Sequence, residues 1–172
     1  MIERLAAFIR DVPDFPRPGI LFKDITPLLA DPGALALAVE LMANPFRGRG
    51  IDLVVGAESR GFIFGTAVAQ SLSAGFVPVR KPGKLPSRKT AITYALEYGS
   101  DTLEMHEDAL RAPHRVLVVD DLLATGGTMK ACCDLVRRLG AEVVGASVLI
   151  ELESLRGRAV VAPTEVFSVI ST

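Results

Sequence analysis

The chain has 172 residues, 49% of them hydrophobic, and 19 basic against 20 acidic side chains leave a net charge of −1. That length fits one domain with a real hydrophobic core and leaves no room for a second complete one. The balanced charge excludes a general attraction to nucleic acid or to a membrane surface, so any anion site must arise from local clustering of basic residues. Met1-Ile2-Glu3-Arg4 turns amphipathic without the apolar run of a signal peptide, and no apolar stretch is long enough to span a bilayer. A soluble cytoplasmic protein is expected.

In chain order, Ile2, Leu5, Ala6 and Ile9 recur at helical spacing and predict a short helix over 2–10. The proline-rich stretch 12–19 then reads as an extended, stiff loop. Leu35, Ala38, Val39 and Met42 mark a second helix, closed by Asn44-Pro45 and the Gly48-Arg49-Gly50 turn. Strands are predicted over 51–55, 75–79, 115–119 and 142–150, with helices over 61–73 and 128–139 between them. Between 90 and 105 the pattern changes to strict alternation, with Ile92, Tyr94, Leu96 and Tyr98 on one face and a turn at Gly99-Ser100-Asp101. This predicts an antiparallel excursion. Residues 165–170 alternate weakly and read as an edge strand, whereas 156–163 give little orientation. Cys132 and Cys133 are adjacent on a predicted helix, where they read as reduced, buried packing residues. His106 and His114 lack companion ligands, so local hydrogen bonding is expected of them rather than a zinc site.

The stretch Val116-Leu117-Val118-Val119-Asp120-Asp121-Leu122-Leu123-Ala124-Thr125-Gly126-Gly127-Thr128 joins a buried strand, a carboxylate pair and a small-residue turn. Its apolar run lacks polar alternation, as a central parallel strand covered on both faces requires. Thr125, Gly126, Gly127 and Thr128 supply two hydroxyls and a run of N–H donors at the start of a helix, where a phosphate is favoured. Asp120 and Asp121 only accept hydrogen bonds when ionised, so they suit ribose hydroxyls or, through water, Mg2+. An ordinary strand-turn-helix junction would leave two adjacent carboxylates uncompensated at the end of a buried strand.

This stretch resembles the thirteen-residue phosphoribosyl pyrophosphate signature of the type I phosphoribosyltransferases, and it matches at every position. The resemblance implies that Asp120 and Asp121 face the ribose hydroxyls while Ala124, Thr125, Gly126, Gly127 and Thr128 cradle the 5-phosphate. Glu58-Ser59-Arg60, in the loop 55–61, is similar to the family's pyrophosphate loop. Arg60 can grip phosphate oxygens with two parallel hydrogen bonds, and Glu58 suits orienting donors or a metal-bound water. A surface ion pair between Glu58 and Arg60 is the plain alternative.

Arg80, Lys81, Lys84, Arg88 and Lys89 share a short segment without an acidic residue. Such a cluster should repel itself and reads as a mobile clamp for a polyanion, or, at Arg88 and Lys89, equally as a solvated loop. Within it Arg80-Lys81-Pro82-Gly83-Lys84-Leu85-Pro86 resembles the corresponding segment of adenine phosphoribosyltransferases, which implies that Arg80 reaches the site of a neighbouring subunit in a homodimer. Tyr94-Ala95-Leu96-Glu97-Tyr98-Gly99 and the N-terminal Asp14-Phe15-Pro16-Arg17-Pro18-Gly19-Ile20-Leu21-Phe22-Lys23-Asp24-Ile25 are similar to the same subfamily. Glu97 lies opposite the Ile92/Tyr94 face by alternation and is the candidate acid-base residue. Leu21, Phe22 and Lys23 are the candidate adenine hood, Phe22 by stacking and the backbone by edge contacts. Position 23 carries lysine where some members carry arginine, and an ammonium lacks the two-pronged grip. Ala124 stands where the 6-oxopurine enzymes carry an aspartate, which argues against hypoxanthine or guanine.

The expectation is therefore a single α/β domain over 1–172, with a mostly parallel central sheet flanked by helices. A small N-terminal hood falls within about residues 1–30 and a flexible antiparallel flap within about 80–105. The implied reaction is adenine plus phosphoribosyl pyrophosphate giving AMP and pyrophosphate, with Mg2+. A phosphoribosyl pyrophosphate sensor regulating transcription is the reading from another class, but the chain has no appended basic helix to bind nucleic acid. Xanthine or orotate transfer is the alternative among enzymes.

Overall fold

The computed structural model describes residues 2–96 and 99–172. The first helix, α1 (Ile2–Ala6), ends earlier than its periodicity predicts, because Arg10 already pairs in a strand. Part of the proline-rich stretch, expected as a loop, is one arm of an antiparallel hairpin. Its strands β1 (Arg10–Pro13) and β2 (Leu21–Asp24) run in register from Arg10 opposite Asp24 to Pro13 opposite Leu21. Pro13 is tolerated because it closes a two-stranded ribbon and owes no further ladder bond. The turn is fastened where Gly19, at φ +86°, donates its N–H to Asp14 Oδ1 at 2.8 Å.

Helix α2 (Thr26–Ala30), absent from the sequence reading, starts where Asp24 Oδ1 accepts from the Thr26 N–H at 2.9 Å. Its neighbour α3 (Pro32–Ala43) is capped by Asp31, which accepts from the Ala34 N–H at 2.8 Å, with Pro32 preset for the first turn.

The chain then builds β3 (Leu53–Ala57), α4 (Arg60–Ser71) and β4 (Gly75–Val79), followed by the flap strands β5 (Lys89–Ala95) and β6 (Ser100–His106). It continues through β7 (Arg115–Leu123), α5 (Gly127–Arg138), β8 (Glu142–Glu151), the short helix α6 (Gly157–Val161) and β9 (Val166–Ser171). Five strands form a parallel sheet in the order β4-β3-β7-β8-β9, so 165–170 does supply an edge strand. Along β7 both faces are buried: Val116 and Val118 pack under α5, while Leu117 and Val119 meet the cluster containing α3 and α4. That accounts for the unbroken apolar run.

Two strands depart from expectation by more than one residue. β3 lies two residues further on, and β7 continues four residues beyond 119, because its parallel partner β8 keeps pairing as far as Leu123 opposite Glu151. Asp120 and Asp121 therefore sit inside a strand, not after one. From β3 the chain crosses through α4 to β4 on one side, and from β7 through α5 to β8 on the other. Strand order thus reverses between β3 and β7, and a crevice opens at their carboxyl ends.

The adjacent cysteines are free and buried on α5. His106 Nε2 accepts from the Ser87 N–H at 3.3 Å and His114 Nδ1 from the Arg111 N–H at 3.2 Å, the local roles expected of them.

Helix α4 lies against the sheet on small residues. A Cβ at Gly65 would stand 2.6 Å from the Phe76 ring, which is itself held edge-on by Phe62. Gly65→Val is accordingly expected to cost about 2 kcal/mol by overpacking, read as a lower urea midpoint with an unchanged slope.

Candidate active site

A cleft of about 360 Å³ occupies the crevice at the reversal point, lined by Glu58, Ser59 and Arg60 after β3 and by 120–129 from β7 into α5. Its floor follows from chain direction, since parallel strands deliver both loops to the same edge. Gly126, at φ +88°, turns the chain into α5, and the N–H groups that open the helix face the cleft end of the sheet. A Cβ at Gly126 would meet the Gly157 carbonyl at 2.6 Å, so only glycine fits both the turn and the approach.

Asp121 is buried and receives Arg60 Nε at 3.2 Å, while its own N–H donates to Asp120 Oδ1 at 2.8 Å. Burial pushes the Asp120 carboxyl well above the usual carboxylate range, and the neighbouring Asp121 charge adds to the rise. Gly61 allows this packing: a Cβ there would stand 3.1 Å from Asp120 Oδ1. The same Arg60 guanidinium lies over the Phe22 ring, 5.1 Å from its centroid, and so ties the hood to the acidic pair. Phe22 is also held edge-on by Phe15 with centroids 5.0 Å apart. No sequence signal joins Arg60 to residues this distant along the chain.

The other basic side chains are less isolated than their sequence segment implies. Arg80 Nε lies 3.3 Å from Glu58 Oε1, Lys81 Nζ donates to Asp101 Oδ2 at 2.6 Å, and Arg88 Nε lies 3.4 Å from Glu107. The expected self-repulsion is thus answered by acids from other segments. Glu58 also accepts from the Lys81 N–H at 2.8 Å, so Glu58 and Arg60 each have a partner other than the other. Lys84 is exposed. On β2, Leu21 is exposed and Lys23 turns its ammonium to Asp11 at 2.8 Å, beside a small cavity near α1 and β9 and away from the Arg60 side of Phe22. Glu97 lies outside the described residues.

Tyr94 was expected only as one member of an alternating face. Its hydroxyl reaches Thr128 Oγ1 at 3.1 Å and its ring packs against Gly127, so the flap touches the glycine loop directly. Alternation placed Tyr94 on one face with Ile92 without saying what that face meets; the strand register brings it to the glycine loop.

The Asp120 shift has a definite sign for stability. A carboxyl whose folded pKa is raised favours the fold below its unfolded value, near 3.8, and loses that contribution as pH rises through the folded value. Asp120→Asn, which keeps the Oδ1 acceptor, should therefore raise the melting temperature of the ligand-free protein at pH 7 by roughly 3 °C, with the gain fading towards pH 4. Calorimetry across that range checks it.

The phosphoribosyl transferase domain family matches residues 25–172. An adenine phosphoribosyltransferase of Methylococcus capsulatus is 59% identical over 91% of this chain and 92% of its own. The crystal structure of adenine phosphoribosyltransferase from Thermoanaerobacter pseudethanolicus superposes with a TM-score of 0.98 at 47% identity, over 100% of both chains. The Saccharomyces cerevisiae enzyme, complexed with an imino-altritol bisphosphate and adenine, superposes with a TM-score of 0.92 at 39% identity, over 98% of this chain and 97% of that one. Agreement of fold, sequence and strand-end loops over nearly the whole length has one conclusion: the chain belongs to the adenine phosphoribosyltransferase family of phosphoribosyltransferases.

Proposed function

We propose that the protein transfers the 5-phosphoribosyl group of phosphoribosyl pyrophosphate to adenine, giving AMP and pyrophosphate, and thereby serves purine salvage. The observation that carries this reading is the cleft at the β3/β7 reversal, where an acidic pair, the start of α5 and a guanidinium meet beside an aromatic hood. The yeast relative bound to adenine and a sugar bisphosphate analogue supports adenine as the base.

In this reading the N–H groups of Ala124, Thr125, Gly126, Gly127 and Thr128, with the two threonine hydroxyls, hold the 5-phosphate at the positive end of α5. Asp120 and Asp121 accept from the ribose hydroxyls and lie close to the positive charge that develops on the sugar as its bond to pyrophosphate breaks. Glu58, Ser59 and Arg60, with Arg80, Lys81 and Lys84, surround the departing pyrophosphate, which leaves with the bonding electron pair. Phe22 offers a ring face to adenine, and the backbone of Leu21 and Lys23 reads its edge. Glu97 takes the purine proton as N9 bonds to the sugar carbon.

The cleft's two carboxylates suit Mg2+ held through water and donor oxygens. Among the described residues no group of three or more His, Cys, Asp or Glu side chains forms an all-protein cage. When bound, Mg2+ supplies charge neutralisation on the pyrophosphate. The whole chain, 1–172, works as one domain and as a homodimer in the cytoplasm. The resemblance of segment 80–86 supports the dimer, and two free, buried cysteines suit a reducing compartment. Among the described residues no helix is long and apolar enough to cross a membrane.

Incubation with phosphoribosyl pyrophosphate, Mg2+ and each of adenine, hypoxanthine, guanine, xanthine and orotate is expected to yield AMP alone; a nucleotide of another base overturns the hood assignment. Chelation of Mg2+ should abolish turnover and re-addition restore it. Glu97→Gln and Glu97→Ala should lower kcat about 100-fold with little change in the KM for the sugar donor. Wild-type turnover in both removes Glu97 from the mechanism.

A further inference from the structure

Apart from Thr128, whose hydroxyl meets Tyr94, the side chains of the 5-phosphate loop make no hydrogen bond among the described residues, and its backbone rests on α6. A Cβ at Gly157, the first residue of α6, would stand 2.5 Å from the Ala124 carbonyl and 2.9 Å from Leu123 Cγ, and a Cβ at Gly126 would stand 2.6 Å from the Gly157 carbonyl. Loop and helix start are therefore in backbone-to-backbone contact on both sides, with no side chain between them to absorb a shift.

A helix of five residues cannot hold its own place. At its far end Val161 sinks into the core beside α5, and the helix start is held by Arg158, the residue after Gly157. Its Nε donates to Glu151 Oε1 at 2.7 Å and its Nη2 to Glu151 Oε2 at 2.6 Å, a paired grip on a buried carboxylate at the end of β8. Arg158 Nη2 also donates to Ser168 Oγ at 2.9 Å, Nη1 donates to the Val166 carbonyl, and Ser168 Oγ donates to Glu151 Oε2 at 2.8 Å. Opposite Glu151 across the sheet stands Leu123, the last strand residue before the loop. One rigid strand end thus carries both the root of the loop and, through Arg158, the helix start behind it.

We infer that the Glu151–Arg158–Ser168 network sets the position of the phosphate loop, with Arg158 as a positioning residue that acts on the 5-phosphate through Gly157 and never touches it. The inference rests on the assignment of 124–128 to the 5-phosphate. It makes binding of the phosphate, and not of the nucleoside, sensitive to side chains on the far side of α6.

The test compares the affinities of AMP and adenosine, which differ only in that phosphate, for the full-length protein and its variants. Wild type should bind AMP much more tightly than adenosine. Arg158→Met should weaken AMP about tenfold and leave adenosine unchanged, since small misplacements of a binding group carry penalties of this size. Arg158→Lys, which keeps the charge but not the paired grip, should fall between them. Gly157→Ala, which pushes the loop directly, should show the same selective loss and carries the test if Arg158→Met does not fold. Wild type binding AMP no better than adenosine would remove the loop assignment itself. A wild type that prefers AMP, with folded variants that keep the full preference or lose both ligands equally, overturns the inference while leaving the assignment in place.

Discussion

Asp120 and Asp121 are neighbours in a strand that is buried on both faces, and two such carboxylates cannot both carry charge there without an answering cation. Arg60 provides it from the next loop along the sheet edge, which requires β3 and β7 to be adjacent, parallel and level at their carboxyl ends. The strand order meets this condition by sending its two crossovers in opposite directions from that pair. Glycine at 61 then lets α4 begin close against the Asp120 carboxyl, where a Cβ would stand 3.1 Å from Oδ1. Sheet topology, a helix start and the ring of Phe22, which lies under the same guanidinium, all follow from housing one acidic pair.

The pair also explains a division of labour between parts of the fold. The apolar strands and α3 to α5 make the core, whereas the cleft gathers charged groups that the core does not need for its packing. Proteins commonly trade stability for function at such places.

Much of this arrangement is legible in the sequence because it is local. The apolar run 116–119, the small-residue turn and the alternation around Ile92 and Tyr94 each specify an element from a few adjacent residues, and the structure has those elements in place. Strand limits were less legible. β7 runs through its aspartates because β8 continues beside it, and nothing within 115–123 states that. The hairpin was hidden for a similar reason, since the prolines that signal a stiff loop equally suit a short ribbon with a free edge. Pairings across the fold, such as Arg60 with Asp121 or Lys81 with Asp101, depend on which strand ends come level, and charge counting within a segment gave self-repulsion where the structure has neutralised pairs.

Those pairs bear on the binding proposed for this part of the fold. Arg60, Arg80 and Lys81 face Asp121, Glu58 and Asp101. In the proposed reading an incoming polyanion has to compete with these carboxylates and does not meet bare positive charge. Affinity is therefore a difference between two sets of ion pairs, and added salt weakens both sets. On that reading the ionic-strength dependence of binding is shallower than a count of the basic residues alone would imply.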